Sequence, residues 1–252
     1  MSKTLVAAKK LVKVYDSVRV VNGVSFSINS GEVFGILGPN GAGKTTTLEM
    51  IEGLRDIDGG EALINGVNVA KEPSKARYLI GVQPQTPAFQ DKTKAKEVLE
   101  LFGATYGVKV SADELLEKVR LSEKANTYTE NLSGGQLQRL SIAAALVHSP
   151  KVLFMDEPTT GLDPQARRNI WDLVKDIKKQ GITVVLTTHY MEEAEVLCDR
   201  VAIMDNGKII AQDTPVNLIS DLLQRGFKKK RTISQATLED VFIDLTGKDL
   251  RE

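Results

Sequence analysis

Short, wholly apolar runs separated by stretches of helical period set the layout of the chain. Val33, Phe34, Ile36 and Leu37, then Val152–Met155, then Thr183–Thr187, have the unbroken apolar or β-branched texture of strands buried on both faces. Between the second and third runs, Ile170, Leu173, Val174 and Ile177 recur at helical spacing. Asp163 is placed as their N-cap, Pro164 as the first helical residue and Gly181 as the stop. Upstream, Leu5–Val14 and Val18–Ile28 are rich in Val, Ile and Phe and are separated at Asp16-Ser17, so they read as strands. Glu61–Val69, turning at Asn65-Gly66, reads as a hairpin that completes a small antiparallel layer. Downstream, Val201–Met204, the turn Asp205-Asn206-Gly207 and Lys208–Ala211 give another hairpin signal. Thr214-Pro215 opens a late helix, and Thr237-Leu238-Glu239-Asp240 has the form of a capping box for a further one.

The texture changes after residue 85. Gln83-Pro84-Gln85-Thr86-Pro87 interrupts the apolar run Leu79–Val82, and strand character is lost until residue 152. In between come Ala95, Val98, Leu101 and Phe102, then Leu115, Leu116 and Val119, then Leu137, Leu140, Ala144 and Val147, all at helical spacing. The pattern predicts a mainly helical insertion over 86–149. It interrupts an α/β core built from 1–85 and 150–215 and is followed by a C-terminal helical tail over 216–252.

The chemistry gathers around Gly38-Pro39-Asn40-Gly41-Ala42-Gly43-Lys44-Thr45, which fits Gly-x-x-x-x-Gly-Lys-[Ser/Thr] between a buried strand and a helix that ends near Gly53. Gly38, Gly41 and Gly43 let successive backbone N–H groups converge on phosphate oxygens, and the helix N-terminus adds partial positive charge. Lys44 is placed to reach the β- and γ-phosphates, Thr45 to offer a hydroxyl to Mg²⁺, and Thr46 to bond an α-phosphate oxygen. The spacing therefore predicts a nucleoside triphosphate site. Asp156 and Glu157 follow the buried run Val152–Met155, at the strand end where open parallel sheets bind ligands. Asp156 suits an outer-shell Mg²⁺ ligand and Glu157 a group that polarises water.

Other residues carry two readings. Tyr15, upstream of the cradle, either stacks on the base or packs at a strand end. Gln85 either reaches the metal or attacking water, or is a polar loop residue. Leu132-Ser133-Gly134-Gly135-Gln136 is either a second anion-binding helix start or an ordinary N-cap. Two phosphate-seeking helix termini on different subdomains can serve one nucleotide only if they come from opposed copies of the protein. His189, just beyond Thr183–Thr187, lies at the same edge of the sheet, where an imidazole N–H can hold the γ-phosphate. His148, read as part of the helix after Gln136, is assigned to surface or packing duty.

Composition narrows the classes. Hydrophobic residues at 42% and charged residues at 26% are ordinary for a globular protein. Lys+Arg 33 against Asp+Glu 33 removes any bulk pull toward nucleic acid. The single cysteine, Cys198, excludes an internal disulfide and suits a reducing cytosol. Met1-Ser2-Lys3-Thr4 begins no signal peptide and no apolar run is long enough to span a bilayer, so any membrane role needs another chain. Arg225 with Lys228-Lys229-Lys230-Arg231 is either a solvated basic loop or a contact for acidic lipid headgroups.

Taken together, these stretches resemble the ATP-binding subunit of an ABC transporter over essentially the whole chain. The Walker A loop is Gly38–Thr45, the Q-loop residue Gln85, the signature Leu132–Gln136 and the Walker B segment Val152–Glu157. The D-loop is Gly161-Leu162-Asp163 and the H-loop residue His189. Thr187–Glu195 and Leu238-Glu239-Asp240-Val241-Phe242 are similar to the ABC-2 type drug- and lipid-exporting branch. Asp91-Lys92-Thr93-Lys94-Ala95-Lys96 departs from that branch, which has a more apolar stretch where the membrane partner docks, and Gln83 beside Gln85 leaves two candidates for the Q-loop residue. The resemblance implies a P-loop NTPase core of mainly parallel sheet, with an N-terminal antiparallel β layer and an inserted helical subdomain. It implies ATP and Mg²⁺ as ligands, Tyr15 as the adenine-stacking ring, and Gly38, Asn40, Gly41, Gly43, Lys44, Thr45 and Thr46 around the phosphates. Ser133, Gly134, Gly135 and Gln136 are implied to reach across to the nucleotide of the opposite copy. Glu157, His189 and Gln85 are implied for hydrolysis, with Thr45, Gln85 and Asp156 about the metal. The implied assembly is a head-to-tail pair, homodimeric by default, on the cytoplasmic side of the membrane beside a separate transmembrane permease, without nucleic acid. A soluble ABC ATPase in protein assembly or nucleic-acid maintenance shares every motif. A nucleotide-binding regulatory module without turnover is disfavoured because Glu157 and His189 are both present.

Overall fold

The computed structural model describes residues 3–227 together with 241, 244 and 245. In chain order the strands and helices are β1 (Thr4–Tyr15), β2 (Val18–Asn29), β3 (Val33–Leu37), α1 (Lys44–Glu52), β4 (Gly59–Ile64), β5 (Val67–Asn68), α2 (Pro73–Arg77) and β6 (Ile80–Gln83). Then come α3 (Ala95–Tyr106), α4 (Ala112–Lys118), α5 (Gly134–Ala145), β7 (Val152–Asp156), α6 (Pro164–Lys179) and β8 (Thr183–Thr188). The described chain continues with α7 (Met191–Leu197), β9 (Arg200–Asp205), β10 (Lys208–Asp213) and α8 (Pro215–Gln224).

Two sheets divide the strands. The larger has six, in the order β10-β9-β3-β8-β7-β6, and all its pairs are parallel except β10 with β9. Every residue of β3, β7 and β8 is buried, as expected of parallel strands covered on both faces. The smaller sheet, β2-β1-β4-β5, is antiparallel, and along Val24–Ile28 of β2 buried apolar residues alternate with exposed serines. One core cluster lies between the two sheets, with Phe26 and Phe34 stacked at 5.2 Å. The other joins the far face of the six-stranded sheet to α3–α7.

The helix boundaries follow local chemistry. Asp163 Oδ1 accepts the N–H groups of Gln165 and Ala166, each at 2.9 Å, and starts α6 at Pro164. Thr214 caps α8 in the same way through the Asn217 N–H at 3.1 Å. Residues 86–149 contain α3, α4, α5 and two single 3₁₀ turns and no named strand; a lone bridge joins Lys94 to Tyr128.

Three details differ from the sequence pattern. His148 is not helical: α5 ends at Ala145, and His148 lies in the following turn, stacked on Tyr106 at 3.8 Å with its Nε2 2.8 Å from the Ile80 carbonyl. Its packing duty holds. Val147 likewise falls past the helix end, where the turn to Ser149 has a positive φ of 52°. Leu101 has helical spacing with Ala95 and Val98 but is 58% exposed, because the buried face of α3 runs through Val98, Leu99 and Gly103 instead. The capping-box segment Thr237–Asp240 and the basic run Lys228–Arg231 lie outside the described residues. Arg225, just before them, pairs with Asp244 at 2.9 Å.

Candidate nucleotide and hydrolysis site

The parallel strands fix where the chemistry sits. Because β3, β8, β7 and β6 run the same way, their C-terminal ends share one edge of the sheet. Those ends deliver, in order, the cradle after Leu37, His189 after Thr188, Asp156 and Glu157, and Gln85 after Gln83. Residues far apart in sequence meet there for topological reasons.

The cradle depends on its glycines. A Cβ at Gly38 would stand 2.2 Å from the Met204 carbonyl oxygen. At Gly43, where φ is 98°, it would stand 2.6 Å from that of Val20. Gly43 is the N-cap of α1 and Thr47 bonds back to its carbonyl, through the backbone N–H at 2.9 Å and the hydroxyl at 2.8 Å. The N–H groups of Lys44, Thr45 and Thr46 open the helix and have no partner one turn earlier within it, which makes them donors for an anion. Lys44 is 4% exposed, and its ammonium donates to the carbonyls of Gly38 at 2.9 Å and Pro39 at 3.1 Å. Asn40 and Thr45 are exposed on the cradle and Thr46 is half-buried.

Glu157 is the most heavily engaged carboxylate of the edge. Its Oε1 lies 3.2 Å from Lys44 Nζ. Its Oε2 faces His189 Nδ1 at 3.1 Å, accepts the Thr160 hydroxyl at 3.1 Å and is approached by the Gln85 amide at 3.4 Å. The His189 bond requires the proton on Nδ1, leaving Nε2 available. Glu157 has a φ of 45°, a conformation that non-glycine residues adopt only when their surroundings enforce it. Its N–H is held by Thr187, through the hydroxyl at 3.0 Å and the carbonyl at 3.2 Å. The hydrogen bond from His189, and after burial the Lys44 charge, govern its titration: against the cost of burial they pull the carboxyl from its ordinary 4.5 down to about 2.

Asp156 is set differently. It accepts the Thr45 hydroxyl at 3.0 and 3.2 Å and also the Thr187 hydroxyl. Burial pushes its carboxyl above the ordinary aspartate range, with the two threonines opposing. Thr45 and Asp156 thus form an adjoining pair of hard oxygen donors. Among the described residues no group of three or more His, Cys, Asp or Glu side chains is arranged around a metal position. That donor set fits Mg²⁺, which prefers one or two protein oxygens completed by phosphates and water.

The remaining candidates divide. Gln85 is exposed and reaches Glu157, whereas Gln83 is fully buried with its amide turned onto the Pro84 carbonyl, which separates the two glutamines. Tyr15 ends β1 half-buried, with its hydroxyl on Arg55 and the Lys13 and Arg55 cations each 5.5 Å from its ring. Ser133 caps α5: its hydroxyl accepts the Gln136 N–H at 3.3 Å and its own N–H bonds the Gln136 side chain at 2.9 Å. Added Cβ atoms at Gly134 and Gly135 would meet Leu162 at 3.8 Å and Ala166 at 3.0 Å. Among the described residues no hydrogen bond or ion pair joins Ser133–Gln136 to the cradle or to Glu157. The sequence reading missed Thr187 and Thr160. A polar residue at the end of a fully buried strand was the available signal for Thr187.

A model of the family described as "ABC transporter" matches residues 21–160, more than half of the chain. The linearmycin resistance ATP-binding protein LnrL of Bacillus subtilis is 45% identical over 223 residues, covering 86% of this chain and 72% of that protein. A Nod factor export ATP-binding protein I of Ralstonia nicotianae is 43% identical over 224 residues, covering 87% and 70%. Among solved structures, an ATP-binding subunit of an ABC transporter superposes with a TM-score of 0.83 at 30% identity, covering 96% of this chain and all of that one. A dimeric ATP-binding cassette in a post-hydrolysis state, bound to ADP and Pi, superposes with a TM-score of 0.75 at 29% identity, covering 83% and 98%. This chain belongs to the ABC transporter family and is its ATP-hydrolysing cassette.

Proposed function

We propose that two copies of this chain close head to tail over two ATP–Mg²⁺, and that the cycle of closure and hydrolysis drives a separate transmembrane subunit in the export direction. The observation that carries the hydrolytic part is the engagement of Glu157 by Lys44 and His189 at 3.2 and 3.1 Å. In this arrangement Glu157 is a poor base, since both its oxygens are engaged and its acidity is high. A γ-phosphate in the cradle competes for the Lys44 ammonium and for His189, which frees Glu157 to accept a proton from the attacking water. Thr45 and Asp156 would hold Mg²⁺, which when bound neutralises charge on the β- and γ-phosphates. Gln85 reports that state to the insertion, and Tyr15 takes the adenine. Ser133, Gly134 and Gly135 complete the site of the opposite copy.

Export is favoured by the relatives' names, one of which is a Nod factor export protein. No helix among the described residues is long and apolar enough to cross a membrane; in the proposed cycle the chain works at the cytoplasmic face through its partner subunit. The seat for that partner is the groove lined by Tyr78, Leu101, Phe102, Thr105 and Tyr106, of about 550 Å³, which adjoins the strand leading to Gln85. Purified chain is expected to hydrolyse ATP only with Mg²⁺ and to be retained with a membrane subunit in detergent extracts. Full activity with no membrane subunit recovered would favour the soluble ABC ATPase. Unchanged turnover in Glu157→Gln would overturn the hydrolytic assignment.

A further inference from the structure

One ionisable group beside the hydrolytic edge has no part in the scheme above. Glu193, on α7, is 0% exposed. A carboxylate taken wholly out of water costs several kcal/mol unless its oxygens are bonded. Its Oε1 accepts the Thr159 hydroxyl at 2.9 Å and the Trp171 indole N–H at 3.1 Å, while Oε2 is buried without a hydrogen-bond partner. Burial pushes the carboxyl up, opposed by Thr188, Thr159, Trp171 and the Arg167 charge. Arg167 is itself spread over the Tyr190 ring at 4.5 Å.

The Thr159 partner lies on the segment that carries the proposed base, and Glu193 itself lies in α7, whose N-cap Tyr190 directly follows the proposed phosphate holder His189. Thr159 is two residues past Glu157, in the turn where the Thr160 N–H bonds the Glu157 carbonyl at 3.2 Å and the Leu162 N–H bonds Thr159 at the same distance. Thr188 immediately precedes His189 and its hydroxyl accepts the Tyr190 N–H at 2.9 Å. We propose that Glu193 is a positioning residue for hydrolysis: its carboxylate ties the turn after Glu157 to the turn around His189 and so fixes the distance between those two side chains. The proposal rests on the roles given to Glu157 and His189 above. It explains why a buried acid with an unpaired oxygen occupies a position where an apolar side chain would serve packing alone. A displacement of about 1 Å between reacting groups is enough to cost roughly 10²-fold in rate, so a tie of this kind acts on turnover and not on binding.

The test compares Glu193→Leu, Glu193→Gln and Thr159→Val with the wild-type chain, measuring kcat for ATP and the equilibrium dissociation constant of ATP on protein shown to be folded by circular dichroism. Glu193→Leu is expected to lower kcat about 10²-fold, and Thr159→Val about 10-fold, with ATP affinity kept within about threefold. Glu193→Gln keeps an acceptor oxygen for Thr159 and Trp171, and is expected to restore kcat to within about fivefold of wild type. Wild-type kcat in Glu193→Leu, a parallel fall of affinity and kcat, or a glutamine variant no better than leucine would each overturn the proposal. If Glu193→Leu does not fold, Thr159→Val decides, and its unchanged kcat overturns the proposal. Glu157→Gln assayed alongside separates the two failures: inactive Glu157→Gln with normal Glu193 and Thr159 variants removes only the tie, whereas active Glu157→Gln removes the scheme on which it rests.

Discussion

Replacing Glu157 by glutamine removes a charge but little volume, and the two consequences for ATP run in opposite directions. A glutamine cannot take a proton at neutral pH, so loss of the base is expected to slow hydrolysis about 10²–10⁴-fold. Binding behaves differently. The fall of the Glu157 carboxyl from 4.5 to about 2 corresponds to roughly 3 kcal/mol of net preference for the charged form, at about 1.4 kcal/mol per pH unit. Both Glu157 and Lys44 are nearly buried, with side-chain exposures of 7% and 4%, so solvent screening removes little of this. The His189 bond leads the causes and the Lys44 charge follows; the contact that the nucleotide must displace at Lys44 is taken at about 1 kcal/mol, the usual net worth of a hydrogen bond. Glu157→Gln is therefore expected to bind ATP up to about 5-fold more tightly while turning it over far more slowly. It should accumulate as an ATP-bound dimer on sizing chromatography with ATP–Mg²⁺, and remain monomeric with ADP or without nucleotide. Isothermal titration and steady-state phosphate release measure the two effects separately. Weaker ATP binding in the variant would refute the idea that Glu157 competes for Lys44, and near-normal turnover would remove Glu157 as base.

Three other outcomes follow from the same geometry. Lys44→Ala is expected to weaken ATP at least about 10-fold by equilibrium titration, because a buried charged donor to phosphate is lost. Ser133→Arg should leave ATP binding by the single chain intact but abolish dimerisation and turnover, at a cost of about 1 kcal/mol in thermal stability for the lost cap; a loss of ATP affinity would put the signature in its own chain's pocket. Glu52, whose carboxyl burial raises to about 8 with Asp156 and Glu49 adding to it, favours the fold fully below pH 4.5 and loses that contribution as pH rises through about 8. Glu52→Gln should thus raise the melting temperature at pH 8, by the equivalent of about 2 kcal/mol or more, and hardly at pH 4.5, as read by thermal denaturation across that range.

Most of the framework was legible because the chemistry of the elements is local. Fully apolar runs at Val33–Leu37 and Val152–Met155 marked parallel strands, Asp163-Pro164 marked the start of α6, and the spacing of Gly38, Gly43, Lys44 and Thr45 marked the cradle. What was hidden depended on strand order, which no single stretch encodes. Thr187 supports both Asp156 and the Glu157 N–H only because β8 lies between β3 and β7. The pairing of Lys44 with Glu157, 113 positions apart by their numbers, has the same origin. Periodicity also misled where a helix end is decided by packing on the sheet. His148 left the helix because its ring is held between Tyr106 and the Ile80 carbonyl.

The position of the signature gives the arrangement its directional logic. Ser133 and Gln136 satisfy each other in a capping box, so the start of α5 is already formed and its outermost donors remain for an external anion. Gly134 and Gly135 approach Leu162 and Ala166, so this helix start rests against the segment that follows Glu157 in its own chain. A motion of α5 driven by an anion at Ser133, as proposed, would meet the loop joining Glu157 to α6, which Thr159 ties to Glu193 and α7. In the proposed head-to-tail pair, a γ-phosphate bound by one copy would press on the signature of the other, and the strain would reach that copy's Glu157 and His189. Two sites linked in this way affect each other reciprocally, since a coupling free energy has no preferred direction. Under the proposed scheme, an ATP that closes one half of the dimer would adjust the carboxylate that hydrolyses the second, and hydrolysis in either site would loosen the grip on both.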